Sequence, residues 1–110
     1  MKKTIDTELI GTWNIYEMDE WDEDYLHEEG QAFIEIKENG LGEFHFAVVS
    51  ANIDGEMSEK KFEFTWEGMD EGDEISGRGW VKKKGKDKLD GYIKIHCGDS
   101  SKFKAEKTEG

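Results

Sequence analysis

Apolar and polar residues alternate in short runs along most of this chain. In KFEFTWE (61–67), Phe62, Phe64 and Trp66 fall on one side, and Glu63, Thr65 and Glu67 on the other. LIGTWNIYEM (9–18) sets Leu9, Gly11, Trp13 and Ile15 on one face, AFIEIK (32–37) keeps the same period, and GEFHFAVVS (42–50) aligns Phe44, Phe46 and Val48. ISGRGWVKK (75–83), LDGYIKIH (89–96) and SKFKAE (101–106) complete the set. A period of two is that of a strand with one buried and one wetted face.

The runs are separated by turn-like stretches: ENG (38–40), NIDGEMSE (52–59), GMDEGDE (68–74) and KGKD (85–88). Glycine does the punctuating, with 13 glycines and no proline in the chain. Closely spaced strands without long helices between them predict an antiparallel meander. Such a meander leaves exposed edges unless it closes on itself. The expected fold is therefore all-β: a small antiparallel meander β-barrel of about seven or eight strands. A two-layer β-sandwich is the alternative.

EMDEWDEDYLHEEG (17–30) breaks the alternation. It carries eight carboxylates and places Met18, Trp21 and Tyr25 three and four residues apart, the spacing of an apolar helical stripe. One short helix or ordered loop at 18–29 is expected to lie over one end of the barrel. Asp19 would cap it, and Trp21 and Tyr25 would plug the end.

At 110 residues the chain, 1–110, is read as a single β-barrel domain. With 35% hydrophobic and 38% charged residues, composition alone would allow disorder. The aromatic residues, 12% of the total, stand mostly at alternating positions and supply an aromatic-rich core. One cysteine, Cys97, rules out an intramolecular disulfide. The start, MKKTIDTELIG, has no apolar stretch of the signal-peptide kind, and no run has the length of a membrane span. A cytoplasmic, non-membrane protein is expected.

The net charge of −12 is unevenly spread: residues 1–77 hold 22 acidic and 5 basic side chains, whereas 78–110 hold 5 acidic and 10 basic ones. The acidic majority repels phosphate backbones, so nucleic acid is not an expected partner. KKKGKDK (82–88) reads as a lysine-rich hairpin turn.

The acidic loops do not fit a calcium loop, which needs oxygen ligands at positions one, three and five, glycine at six and a carboxylate at twelve. From Asp22, those positions run onto Leu26, His27 and Phe33; from Asp70, onto Gly72 and Val81. His27, His45, His96 and Cys97 lack the paired spacing of a zinc site. No metal site and no cofactor are therefore expected. HCGDS (96–100) lines up a base, an acid and a hydroxyl, but adjacency in sequence does not build a triad, and a turn is the expected structure.

Arg78, the chain's single arginine, stands between Gly77 and Gly79 with Trp80 on the same strand face. It is expected to form a structural ion pair with Asp70 or Asp73, or to stack on Trp66 or Trp80. An anion-binding role is the other reading.

Gly11-Thr12-Trp13 resembles the Gly-x-Trp signature of the calycins, the lipocalin, avidin and fatty-acid-binding barrels. The resemblance implies that Trp13 closes one barrel end beneath a basic side chain from a late strand, with Arg78, Lys102 or Lys104 as candidates, and that the barrel holds an apolar ligand. Trp21-Asp22-Glu23-Asp24-Tyr25, Trp66-Glu67-Gly68-Met69-Asp70-Glu71, Ser76-Gly77-Arg78-Gly79-Trp80 and His96-Cys97-Gly98-Asp99-Ser100 resemble stretches of a group of small bacterial proteins, which implies a shared fold and no particular activity.

Three functions follow. The first is a small-molecule or peptide binding module with a calycin-like barrel and a site near Trp13, Trp66, Arg78, Trp80 and His96. The second is an acidic protein-interaction domain without a cavity, meeting a basic protein partner. The third is an enzyme using carboxylates such as Asp22, Asp70 or Asp99, for which the chain has the groups but no recognisable spacing.

Overall fold

The structure is a computed structural model that describes residues 5–19, 21–27 and 30–108. Its elements are β1 (Gly11–Met18), α1 (Glu23–Leu26), β2 (Phe33–Ile36), β3 (Leu41–Phe46), β4 (Val49–Ser58), β5 (Lys61–Asp70), β6 (Asp73–Lys83), β7 (Lys88–Ile95) and β8 (Ser100–Lys107). Each strand pairs antiparallel with the next, and β8 pairs with β1 to close the barrel. This is the all-β meander barrel expected from the alternation. Closure satisfies every strand edge without a second sheet.

β4 is the main departure from the expected boundaries. NIDGEMSE (52–59) was to be a turn, yet Val49–Ser58 is a continuous strand of 10 residues. Its alternation is real but muted: Ala51, Ile53 and Gly55 are buried, while Asn52, Asp54 and Glu56 are exposed. Small inward residues conceal the period from hydropathy. The chain reverses instead at Ala47–Val48, between β3 and β4, so Val48 leaves the row of Phe44 and Phe46. Ala47 adopts φ 51°, and its N–H donates to the Leu26 carbonyl at 2.7 Å.

The β5–β6 turn is also tighter than expected. It consists of Glu71 and Gly72, with φ of 50° and 94°, the two-residue turn that matches strand twist. Asp70 and Asp73 consequently face each other as the last ladder pair.

The barrel interior is filled. Phe44 stands at its centre, with ring centroids 5.8 Å from Phe46 and 5.2 Å from Trp66, the latter edge-on. Inward glycines make room for these rings: a Cβ on Gly77 would stand 2.7 Å from the Trp66 ring, and one on Gly79 2.8 Å from Phe64. The gap left among Ile15, Ile34, Phe44, Phe46, Ile93 and Phe103 does not admit a water molecule. An eight-stranded barrel is just wide enough for side chains to fill, and here they do. The interior apolar pocket that the calycin resemblance implies is not present among the described residues.

Both barrel ends are covered. At one, α1 is a single turn, the short helix expected within 18–29. Asp22, not Asp19, caps it, its Oδ1 accepting from the Tyr25 N–H at 3.0 Å. Leu26 is buried and Trp21 packs on Phe46 with centroids 4.9 Å apart, whereas Tyr25 is 42% exposed. Leu26 therefore takes the plugging place expected of Tyr25. At the other end, residues 5–10 turn across the opening and bury Ile5 and Leu9.

Trp13 is buried beneath that second cover, its indole N–H donating to the Leu9 carbonyl at 3.0 Å. A basic side chain from a late strand does lie over it, but it is Lys107 rather than Arg78, Lys102 or Lys104: the ammonium is 4.8 Å from the ring centroid. Gly11 permits this, since its φ is 129° and a Cβ there would run into the Lys107 side chain.

Candidate functional site

With the interior closed, concave surface must be sought outside. Along β4, β5, β6 and β7 the outward positions align in cross-strand rows. Asn52, Glu67 and Ser76 form one row; Asp54, Thr65, Arg78 and Lys94 form the next; Glu56, Glu63, Trp80 and Tyr92 form a third. These side chains sit on the face opposite the buried Ile53, Phe64 and Trp66.

The surface beside these rows is concave, and inward-facing Ile53, Trp66 and Gly77 contribute to its floor. A depression of about 870 Å³ is walled by Asn52, Asp54, Thr65, Ser76, Arg78 and Lys94, with His96 beside them. A second, of about 660 Å³, adjoins it and extends to Glu63, Trp80 and Tyr92. Asp54, Thr65 and Arg78 line both, so the two form one trough with Arg78 at its middle. Each depression falls in the size range of small-molecule sites.

The trough also lies on a charge boundary. Its β4–β5 side carries Asp54, Glu56, Glu63 and Glu67, and its β6–β7 side carries Arg78 and Lys94. Trp80 and Tyr92 stack on each other with centroids 6.2 Å apart and an interplanar angle of 23°, and Lys61 places its ammonium 4.5 Å from the Trp80 ring centroid. That end therefore offers a flat aromatic surface with a cation already on it.

The expected ligand residues divide accordingly. Trp66, Arg78 and His96 line the larger depression, and Arg78 and Trp80 line the smaller one. Trp66 approaches from below, its buried indole N–H 3.4 Å from the Arg78 carbonyl. His96 is held alongside β6 by a 2.7 Å bond from its N–H to the Ser76 carbonyl. Trp13 belongs to the barrel cover and is not part of this surface.

The expected pairing of Arg78 with Asp70 or Asp73 does not form. Those two aspartates face each other beside the β5–β6 turn, five positions along β6 from Arg78 and on the opposite strand face. That separation is about 17 Å along the strand. Arg78 faces Thr65 on one side and Lys94 on the other.

HCGDS forms the expected turn. The Gly98 N–H donates to the Ile95 carbonyl at 2.8 Å, and the residue with the left-handed φ, 60°, is Cys97 rather than the glycine. His45 lies on the outer face, its ring 6.2 Å from that of Phe33 and its Nδ1 3.0 Å from the Ser50 hydroxyl oxygen. Among the described residues, no three His, Cys, Asp or Glu side chains are grouped to share a metal ion, and no helix is long and apolar enough to cross a membrane.

Asn52, Asp54, Thr65, Ser76 and Lys94 were not singled out by sequence patterning. Strand register supplies them: once the turn is fixed at Glu71–Gly72, Thr65 must oppose Arg78. No family model, no curated protein and no solved structure matches the chain.

Proposed function

We propose that this protein is a binding module that holds a small polar ligand in the outer trough of β4–β7. The carrying observation is the contrast between the interior gap around Phe44 and Phe103, which admits no water, and a depression of about 870 Å³ lined by Arg78. This relocates the site from the barrel's mouth to its flank. Trp66, Arg78, Trp80 and His96 remain associated with it, and Trp13 becomes structural. Carboxylates, hydroxyls and cations offer orienting contacts to a polar molecule, and Leu41, Ile53 and Trp66 add apolar surface for the rest of it.

The setting is read as cytoplasmic. Cys97 is exposed and has no second cysteine to pair with, which suits a reducing compartment. The outward rows carry charged side chains and the inward rows apolar ones, the reverse of a membrane barrel.

The test is a fragment screen by ¹H–¹⁵N NMR on the whole chain and on Thr65→Trp, which fills the trough from an exposed position. Fragments should move the amides of Thr65, Ser76, Arg78 and Lys94 in the parent protein and leave Thr65→Trp unmoved. Binding that persists in a folded Thr65→Trp, or that moves interior residues such as Ile15 and Ile93, would refute the reading. Capture of a basic protein through the acidic β4–β5 side, with no fragment binding, would favour an interaction domain instead.

A further inference from the structure

We infer that the trough grips an oxyanion, a carboxylate or a phosphoryl group of a small molecule, between Arg78 and Lys94; this rests on the trough being the ligand surface. The two cations are direct cross-strand partners on β6 and β7. Like charges in that relation repel each other. Although the chain is rich in acidic side chains, neither cation is ion-paired with one among the described residues. The ion pairs among the described residues join Lys84 to Asp90, Lys88 to Glu106 and Lys104 to Glu17.

The same row continues with hydroxyls on both sides. Thr65 faces Arg78 from β5, and Ser100 faces Lys94 from β8. Four adjacent strands thus present hydroxyl, guanidinium, ammonium and hydroxyl in one line, with a carboxylate entering at Asp54 on β4, two strands from Arg78. Glu63 and Glu67 flank Thr65 diagonally from Arg78 and make no ion pair with it.

Of this row, Thr65, Arg78 and Lys94 line the larger depression, and adjacent cations at the wall of a concavity are what a bound oxyanion requires. The guanidinium fork supplies two parallel N–H groups and the ammonium a point charge, while the Thr65 hydroxyl beside them donates to the Asp54 carbonyl. An anion there would turn the mutual repulsion of Arg78 and Lys94 into a shared attraction. The remaining volume toward Asp54 and Asn52 would hold the rest of the molecule. The acidic wall there favours a neutral or cationic body over a second anionic group.

The experiment titrates the whole protein with inorganic phosphate and, separately, with acetate, at constant ionic strength balanced by sodium chloride, and follows ¹H–¹⁵N spectra. At least one anion should produce saturable shifts at Thr65, Arg78 and Lys94, including the Arg78 Nε–H. Arg78→Gln and Lys94→Gln should each weaken binding about tenfold, the loss of one charge-assisted contact. Lys86→Gln, in the β6–β7 turn, should leave it unchanged. A response to phosphate alone would identify a phosphoryl ligand, and a response to acetate alone a carboxylate. Absence of saturable shifts with both anions, or equal affinity in parent, Arg78→Gln and Lys94→Gln, would overturn the inference. If neutral fragments still move the trough amides in that case, the binding surface survives without its anion; if none do, both readings fall.

Discussion

Lys107 returns from the end of β8 to set its ammonium 4.8 Å from the Trp13 ring centroid and to donate to the Ile10 carbonyl at 2.6 Å. Thr108 adds two bonds to the Thr12 carbonyl, from its N–H at 3.1 Å and its hydroxyl at 3.0 Å. The last strand is thereby latched to the first, at the point where the barrel closes. A cation over a tryptophan that also satisfies a carbonyl contributes about 1 to 3 kcal/mol.

Lys107→Met keeps the aliphatic stem and removes both polar contacts. It should lower unfolding free energy by about 1 to 2 kcal/mol in urea denaturation, with unchanged strand content by circular dichroism. An unchanged midpoint would show that the latch contributes nothing to closure.

Gly77 lies inward where a Cβ would run into the Lys94 carbonyl oxygen and come within 2.7 Å of the Trp66 ring. Gly77→Ala should cost roughly 1 to 3 kcal/mol through overpacking and shift the tryptophan emission. A neutral substitution with an unaltered spectrum would contradict the packing described for β5 and β6.

Glu71 holds φ 50° at the first position of the β5–β6 turn, where asparagine is the preferred residue. Glu71→Asn should raise stability by roughly 0.5 kcal/mol, since asparagine tolerates the left-handed region. Thermal melts of the two proteins check this, and a lower Tm in the variant would count against the turn assignment.

Lys88 donates to Glu106 at 2.8 Å, and that hydrogen bond holds its pKa above the ordinary lysine value of 10.5. A group with a raised folded pKa stabilises fully below its unfolded value and loses that effect as pH climbs through the folded one. The stability difference between the parent and Lys88→Gln should therefore be flat from about pH 7 to 9 and shrink in the alkaline range beyond. A difference that shrinks below pH 9 would mean the pair does not govern the lysine.

How far patterning reached is clearest at β4 and β5. Phe62, Phe64 and Trp66 announce β5 because three successive inward residues are large. β4 has the same period, but Ala51 and Gly55 occupy inward places, Ala51 facing Phe44 across the ladder and Gly55 lying against Phe62 and Phe64. Hydropathy measures single residues and cannot see that a neighbour's side chain does the filling. The Ala47–Val48 reversal carries no glycine or asparagine, so it left no turn signal either.

The site was partly legible for a related reason. Arg78 stood out as the single arginine between two glycines, and Trp80 followed from strand parity. Lys94 and Thr65 are ordinary residues in their own segments and acquire meaning only across the ladder. The expected Arg78–Asp73 pair failed because the turn is two residues long, which extends both strands and carries the aspartates away from the arginine.

The central claim is that ligands meet the outer face of β4–β7 and not the barrel interior. The most direct measurement is a ¹H–¹⁵N and methyl ¹H–¹³C fragment screen, scored by which residues move. Clustered amide shifts are expected at Thr65, Ser76, Arg78 and Lys94, with the methyls of Ile15, Ile34 and Ile93 unmoved. Saturable shifts at those interior methyls, with a quiet outer face, would contradict it.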